Sequence, residues 1–169
     1  MAGEIIYFAY GSNLDYEQMR ARLGDAEIVG VGYLPGYSLA FNKRGWDGTA
    51  KANLVASSKI HKAWGVFYKI TQRQIETMSR YEGGYSKVWV RGHLAEVLPE
   101  DFVTGEEIEA QTFISGSFTT AFPSAIYKER IITGMIEFGL PLGLIENVEL
   151  VRTQRTNGRY KSNRSQKWA

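Results

Sequence analysis

Hydrophobic and polar positions follow two alternating rhythms along this chain. Residues 4–10, EIIYFAY, are a β-branched and aromatic run that predicts a buried strand. The run breaks at Gly11-Ser12-Asn13, where glycine permits a bend. LDYEQMRARLG then reads as a helix that Ser12 or Asn13 caps. Its order of charge suits a helix dipole, with Asp15 and Glu17 early, Arg20 and Arg22 late, and Gly24 at the end. Strand patterns return in AEIVGVGYL (26–34), YSLAFNKR (37–44), KANLVAS (51–57) and KAWGVFYKI (62–70). Pro35-Gly36 marks a turn between the first two, and RGWDGT a polar loop after the second. Thr71 opens a helix, TQRQIETMSRY, with Gln74 completing a capping box and Gly83-Gly84 stopping it. YSKVWVRGHLAEVL (85–98) and AQTFISGSF (110–118) read as strands on either side of an acidic loop, 99–107. Pro123-Ser124 begins the longest helix, which runs to about Phe138 before Gly139 and Pro141 end it, and LIENVELV is a short helix.

Strands dominate the first two thirds and helices are inserted singly, unlike the regular alternation of a doubly wound sheet. The pattern predicts an α+β fold, a curved or closed mixed sheet with a few helices packed on it. One domain is expected over residues 1–151. Residues 152–169 contain six Lys or Arg and no Asp or Glu, and read as a flexible basic tail. A solvated terminus is preferred there over a nucleic-acid contact.

Composition removes several chemistries. The 169 residues suffice for one core, and 44% hydrophobic with 22% charged residues is ordinary for a soluble globular chain. The absence of cysteine excludes disulfides, thiolate metal sites and cysteine nucleophiles, and is compatible with a reducing cytoplasm. Apolar runs are too short for a signal peptide or a membrane span, so no membrane contact is expected. The two histidines, His61 and His93, lack metal-ligand spacing. No GxSxG turn supports a Ser-His-Asp site. A net charge of +2 gives the body no strong basic bias.

Three places carry candidate chemistry. The turn after residues 7–10 gathers unpaired backbone N–H groups, which bind anions well, although a capped turn in the core reads the same way. In the helix opened by Thr71, Ile75 and Met78 mark the buried face and Glu82 falls on it at i+7. A carboxylate near the core needs a partner or a task, and apolar surroundings raise its pKa towards that of a useful base. Tyr81, Tyr85 and Trp89 are candidate neighbours. The competing reading is a frayed last turn with Glu82 in solvent or paired to Lys87. Tyr127 shares a helix face with Ile131, Met135 and Phe138, as either a core tyrosine or a phenol that binds a ligand carboxylate.

Together these segments resemble the γ-glutamylcyclotransferase family (AIG2-like superfamily). YFAYGSNL matches its opening motif, KAWGVFYKIT followed by a helix and Glu82-Gly83 its second segment, and PSAIYKERIITGMIEFGLPL its third. The order is right and covers most of residues 5 to 145. The loop after Glu82 is shorter than in the animal enzymes, and the basic tail has no counterpart in them. The resemblance implies a small, mixed, partly closed β-barrel with flanking helices. It implies a reaction in which the α-amine of a small-molecule γ-glutamyl substrate attacks its own γ-carbonyl, giving 5-oxoproline and a free amine or amino acid. No metal or cofactor is needed, because nucleophile and electrophile share one molecule. On this reading Glu82 moves protons, the backbone across Tyr7, Phe8, Ala9, Tyr10, Gly11 and Ser12 holds the γ-glutamyl group, Tyr127 positions it and Tyr85 lines the site. The Gly11 and Ser12 amides suit either the α-carboxylate or the developing oxyanion. Further implications are a cytoplasmic monomer or homodimer and a place in glutathione metabolism. Two alternatives share the fold: a cyclotransferase that removes a γ-glutamyl protecting group from a biosynthetic intermediate, and a non-catalytic binding module.

Overall fold

The computed structural model describes residues 3–97 and 104–156. Most of the expected acidic loop between the last two strands, and residues 157–169 of the basic tail, lie outside the described residues. In chain order the elements are β1 (Glu4–Ala9), a single 3-10 turn (Ser12–Leu14), α1 (Tyr16–Leu23), β2 (Glu27–Pro35), β3 (Tyr37–Arg44), β4 (Ala50–Ala56) and β5 (Lys62–Thr71). They continue with α2 (Gln72–Tyr81), β6 (Ser86–Val97), β7 (Glu107–Ile114), α3 (Ala125–Glu137) and α4 (Leu142–Glu149).

Five strands close into a barrel in the order β1-β5-β2-β6-β7, and β3 and β4 form a separate hairpin. The pattern predicts a curved or closed sheet and the resemblance a partly closed barrel; the structure closes the barrel through a short parallel contact, Tyr7 opposite Gln111. The other barrel pairs are antiparallel. Register shifts at Ile28/Gly30 and Val31/Gly32 on β2 supply the bending that closure requires. The interior is filled by two aromatic rings, Phe8 and Phe67, with centroids 4.7 Å apart. Each ring lies over a glycine: a Cβ on Gly65 would sit 2.7 Å from the Phe8 ring, and one on Gly32 2.7 Å from the Phe67 ring. Bulky residue against none is how so narrow a barrel fills without voids.

Local signals place α2 well. Thr71 is its N-cap, and the capping box with Gln74 is complete. The start of α1 differs from expectation. Its cap is Asp15, whose carboxylate accepts from the Glu17 and Gln18 amides, not Ser12 or Asn13. Those two side chains are engaged elsewhere, with Gln18, Tyr7 and Glu82. β7 starts three residues before the predicted strand, because pairing with β6 recruits Glu107 and Glu109 opposite His93 and Arg91. At the far end, Gln154 takes the Phe122 amide and donates to the Gly48 carbonyl, so the first residues of the basic segment rest on two loops.

Helix α3 fixes the turn that follows β1. Tyr127, Ile131 and Met135 are buried on its inner face, as their spacing predicts. Gly134 lets the helix approach so closely that a Cβ there would meet the Leu14 carbonyl carbon at 2.3 Å and its oxygen at 2.4 Å. The neighbouring atoms are backbone and cannot rotate away. Gly134→Ala is therefore expected to destabilise the fold by about 1–3 kcal/mol in urea unfolding, despite alanine's better helix propensity. Unchanged or increased stability would show that the helix and the turn do not touch as described.

Candidate functional site

The chain leaves the barrel at the end of β1, and a cleft opens there. Its empty space is roughly 290 Å³, counting open solvent at the mouth. Tyr7, Tyr10, Gly11, Ser12 and Asn13 line one side, and Ala52, Glu82, Tyr85, Phe113 and Tyr127 the rest. Seven of the nine residues singled out by sequence thus meet in one place. Phe8 and Ala9 do not line the cleft. The Phe8 ring fills the barrel and its carbonyl accepts from the Thr112 hydroxyl, while Ala9 pairs with Val66. Alternation along the strand turns Phe8 away from Tyr7, while Ala9, on the Tyr7 face, is fully buried.

Glu82 sits at the C-cap of α2, one step beyond the buried Ile75 and Met78. Its side chain is only 14% exposed. One oxygen, Oε1, accepts from Asn13 Nδ2 at 3.0 Å and lies 3.7 Å from Arg22 Nη1. The alternative pairing with Lys87 does not form, and Trp89, at 58% exposure, does not contribute to the setting. Burial pushes the Glu82 carboxyl above its ordinary value; Arg22, the Asn13 hydrogen bond and Lys43 oppose this without cancelling it. The loop carrying Glu82 is held by a second cation. Lys43, 2% exposed, donates to the Gly83 carbonyl at 2.7 Å and lies over the Tyr85 ring. Burial lowers its pKa, and Glu82 works against that shift.

Two of the four tyrosines that line the cleft are engaged with one residue. Ala52 is on β4, at the edge of the hairpin; its N–H donates to the Tyr127 hydroxyl at 3.0 Å and its carbonyl accepts from the Tyr85 hydroxyl at 2.6 Å. Tyr127 thus keeps a proton to give, whereas Tyr85 faces a ligand with lone pairs only. Burial raises the pKa of both, so both stay neutral phenols. Tyr10 donates to the Phe113 carbonyl. Gly11 has φ −112° and ψ −133°, a conformation that is neither helical nor extended. It also leaves space: a Cβ there would lie 3.1 Å from the Ala52 methyl and 3.7 Å from the Tyr127 oxygen. Ser12 and Asn13 begin a helical turn, where N–H groups have no acceptor inside the turn and favour an anion.

Sequence reasoning missed Asn13 as a Glu82 partner, along with Arg22, Lys43 and Ala52. Arg22 was assigned to the helix dipole, yet it is buried together with Gln18 and Met19. Polar residues beside an apolar one at helical spacing were the available signal, the same one that marked Glu82. Among the described residues no group of three His, Cys, Asp or Glu gathers as a metal site. His61 meets the Ser57 and Ser58 hydroxyls in an exposed turn, a local contact apart from the cleft lining.

Comparison with known proteins bears on the family and the fold. The family described as "Gamma-glutamyl cyclotransferase, AIG2-like" matches residues 7–129. The Homo sapiens protein named Gamma-glutamylcyclotransferase is 29% identical over 160 residues, covering 91% of this chain and 82% of its own. The Bos taurus protein of the same name is 30% identical over 143 residues, covering 81% and 73%. A solved structure described as Gamma-glutamyl cyclotransferase superposes with a TM-score of 0.80 at 24% identity, over 96% of this chain and 95% of the other.

The raised carboxyl yields a prediction about stability. A carboxyl with a folded pKa above its unfolded one binds protons more tightly when folded, so it costs stability as pH rises through the interval between the two. Glu82→Gln mimics the protonated form. Its melting temperature should match the wild type below the usual carboxylate range and exceed it increasingly towards neutral pH. The gain is about 1.4 kcal/mol for each unit separating the two values. A constant offset at all pH values would mean that Glu82 is not desolvated.

Proposed function

Because the chain belongs to the Gamma-glutamyl cyclotransferase, AIG2-like family, we propose that it cyclises γ-glutamyl compounds, releasing 5-oxoproline and the attached amine or amino acid. The observation that carries this reading is Glu82, a buried carboxylate with raised proton affinity that lines an open cleft with Tyr7, Gly11, Ser12 and Tyr127. In water the α-amine of such a substrate is an ammonium and cannot attack. Glu82 accepts one of its protons and frees the lone pair. The nitrogen adds to the γ-carbonyl carbon, the carbonyl π pair moves to oxygen, and a five-membered ring closes. Glu82 then gives its proton to the leaving nitrogen as the carbon–nitrogen bond breaks and the carbonyl re-forms. The ring nitrogen's remaining extra proton passes to the carboxylate and from there to the released amine.

The other groups hold and polarise. The amides of Gly11 and Ser12 suit the substrate's α-carboxylate or the oxyanion that develops on the γ-carbonyl. Tyr127, neutral and with its proton free of the Ala52 contact, is suited to donate to the same anion. Tyr85 lines the wall. The chain's own work is mainly to fold the γ-glutamyl group upon itself, since effective concentrations of a well-placed internal nucleophile are very large. This supports chemistry carried by side chains and backbone alone, and a small-molecule substrate.

The decisive experiment is incubation with a panel of γ-glutamyl amino acids and γ-glutamyl amines, with 5-oxoproline detected. Glu82→Gln should lower kcat by about 100- to 10,000-fold while leaving substrate binding near normal. Near wild-type turnover would remove Glu82 from the mechanism. Gly11→Val should raise KM and lower kcat together, because its side chain enters the space beside Ala52 and Tyr127. Normal binding of a γ-glutamyl ligand by a folded Gly11→Val protein would put the anion cradle elsewhere. The basic tail is assigned no part in the reaction. Truncation after Thr156, which spares the Gln154 contacts, should leave kcat/KM unchanged, and a loss of substrate affinity in a folded truncant would bring the tail into the site.

A further inference from the structure

The hydrogen bonds around Glu82 have a direction, and arginines set it. Arg130 on α3 donates from Nη1 to Gln18 Oε1 at 3.0 Å. Gln18 on α1 must then turn its Nε2 the other way, and it donates to the Ser12 hydroxyl at 2.9 Å and to Asn13 Oδ1 at 3.1 Å. Arg22, one turn further along α1, donates to the same Asn13 Oδ1 at 2.8 Å. A guanidinium has no acceptor to offer, so neither amide can flip without setting donor against donor. Asn13 is left with its two Nδ2 protons facing Tyr7 Oη at 2.8 Å and Glu82 Oε1 at 3.0 Å, with Met78 Sδ at 3.3 Å. Arg22 also approaches Glu82 on Oε1.

We propose that Asn13, oriented by Arg22 and by the Arg130–Gln18 pair, is a positioning residue that commits Oε1 of Glu82 and reserves Oε2 as the oxygen that accepts the substrate's ammonium proton. The inference rests on the cyclotransferase reading of the cleft. A carboxylate with both oxygens free rotates and offers its lone pairs in many directions. One with Oε1 held by Asn13 presents Oε2 in a single direction, and misplacement of a reacting group by about 1 Å can cost about 100-fold in rate. Asn13 and Arg22 thus act through Glu82. The charged and titratable groups facing that carboxyl are Arg22 from α1, Lys43 from β3, Tyr7 and Tyr10 at the end of β1, Tyr85 on the loop after α2 and Tyr127 from α3. The tyrosines are all held neutral by burial, so Glu82 is the group expected to titrate on the acid side of the pH–rate profile.

The test uses Asn13→Ala, Arg22→Met and Arg22→Lys in the full chain. The readouts are kcat and KM as a function of pH, and the titration of the Glu82 side-chain carboxyl followed by carbon-13 NMR, its resonance identified by its loss in Glu82→Gln. Asn13→Ala should leave KM near wild type, lower kcat by up to about 100-fold and move both the acid limb and the carboxyl titration to higher pH, since a hydrogen bond that favours the carboxylate is gone. Arg22→Met should move both the same way, and Arg22→Lys should restore part of the shift by keeping the charge. A folded Asn13→Ala protein with an unchanged titration, or with unchanged kcat, overturns the proposal. Should that variant not fold, Arg22→Met carries the same decision. The NMR titration needs no turnover: a wild type that releases no 5-oxoproline sinks the functional reading, whereas an unmoved titration sinks the positioning role.

Discussion

The burial of one carboxylate governs this site. Glu82 is at the end of a helix whose inner face is otherwise apolar, and taking a charge out of water costs several kcal/mol unless partners meet it. The partners are polar groups that are themselves buried and must in turn be satisfied. Asn13 reaches Glu82, Arg22 reaches both, and the Arg22 guanidinium lies 5.0 Å from the centre of the Tyr81 ring. Gln18 completes Asn13, Arg130 completes Gln18, and Asp15 lies within ion-pair distance of Arg130 while capping α1. A single buried charge therefore recruits the 3-10 turn, α1 and α3 into one network. Such networks rigidify only when complete, because a half-satisfied member is costlier than an apolar one.

A second constraint is the hairpin outside the barrel. Strand β4 presents unpaired backbone groups at its edge, and exposed edges invite unwanted pairing. Ala52 disposes of both its groups on tyrosine hydroxyls, one accepting and one donating. Asn53 ties the same strand to the end of β7 through the Ser115 amide and carbonyl. The cleft wall is thus also the seam that docks the hairpin. The opposite senses of the two Ala52 contacts give the wall its chemical polarity, with a potential donor at Tyr127 and acceptor lone pairs at Tyr85. Sequence periodicity offered a core tyrosine or a ligand-binding phenol at Tyr127. The structure makes it a buried residue whose hydroxyl is at once a strut and a cleft atom.

Much of the fold was legible because its signals are local. The capping box of α2, the alternation within the strands and the Ser124 cap of α3 each depend on residues a few positions apart. Glu82 was legible for the same reason, as the polar member of a helical stripe. What stayed hidden depends on contacts between distant segments. Asn13 meets Glu82 across 69 positions and Tyr127 meets Ala52 across 75, and no spacing rule connects them. The misassigned α1 cap has the same origin. Asp, Ser and Asn have similar intrinsic preferences for that position, so tertiary demand for Ser12 and Asn13 decided in favour of Asp15.

On the proposed reading of Glu82 as the base, its burial gives up local stability for reactivity. Burial alone favours the neutral acid, the form that cannot accept a proton. Full pairing with Arg22 would hold it as a weak, ordinary carboxylate. The 3.7 Å separation from Arg22, with Asn13 closer at 3.0 Å, lies between these extremes. The guanidinium is near enough to keep the ionised form accessible, yet it is not in hydrogen-bond contact with the oxygen. Lys43 adds a further cation while spending its direct hydrogen bond on the Gly83 carbonyl. Charge is thereby supplied at a distance and direction at close range. On the proposed mechanism, the cations favour the ionised carboxylate while burial keeps its affinity for a proton raised.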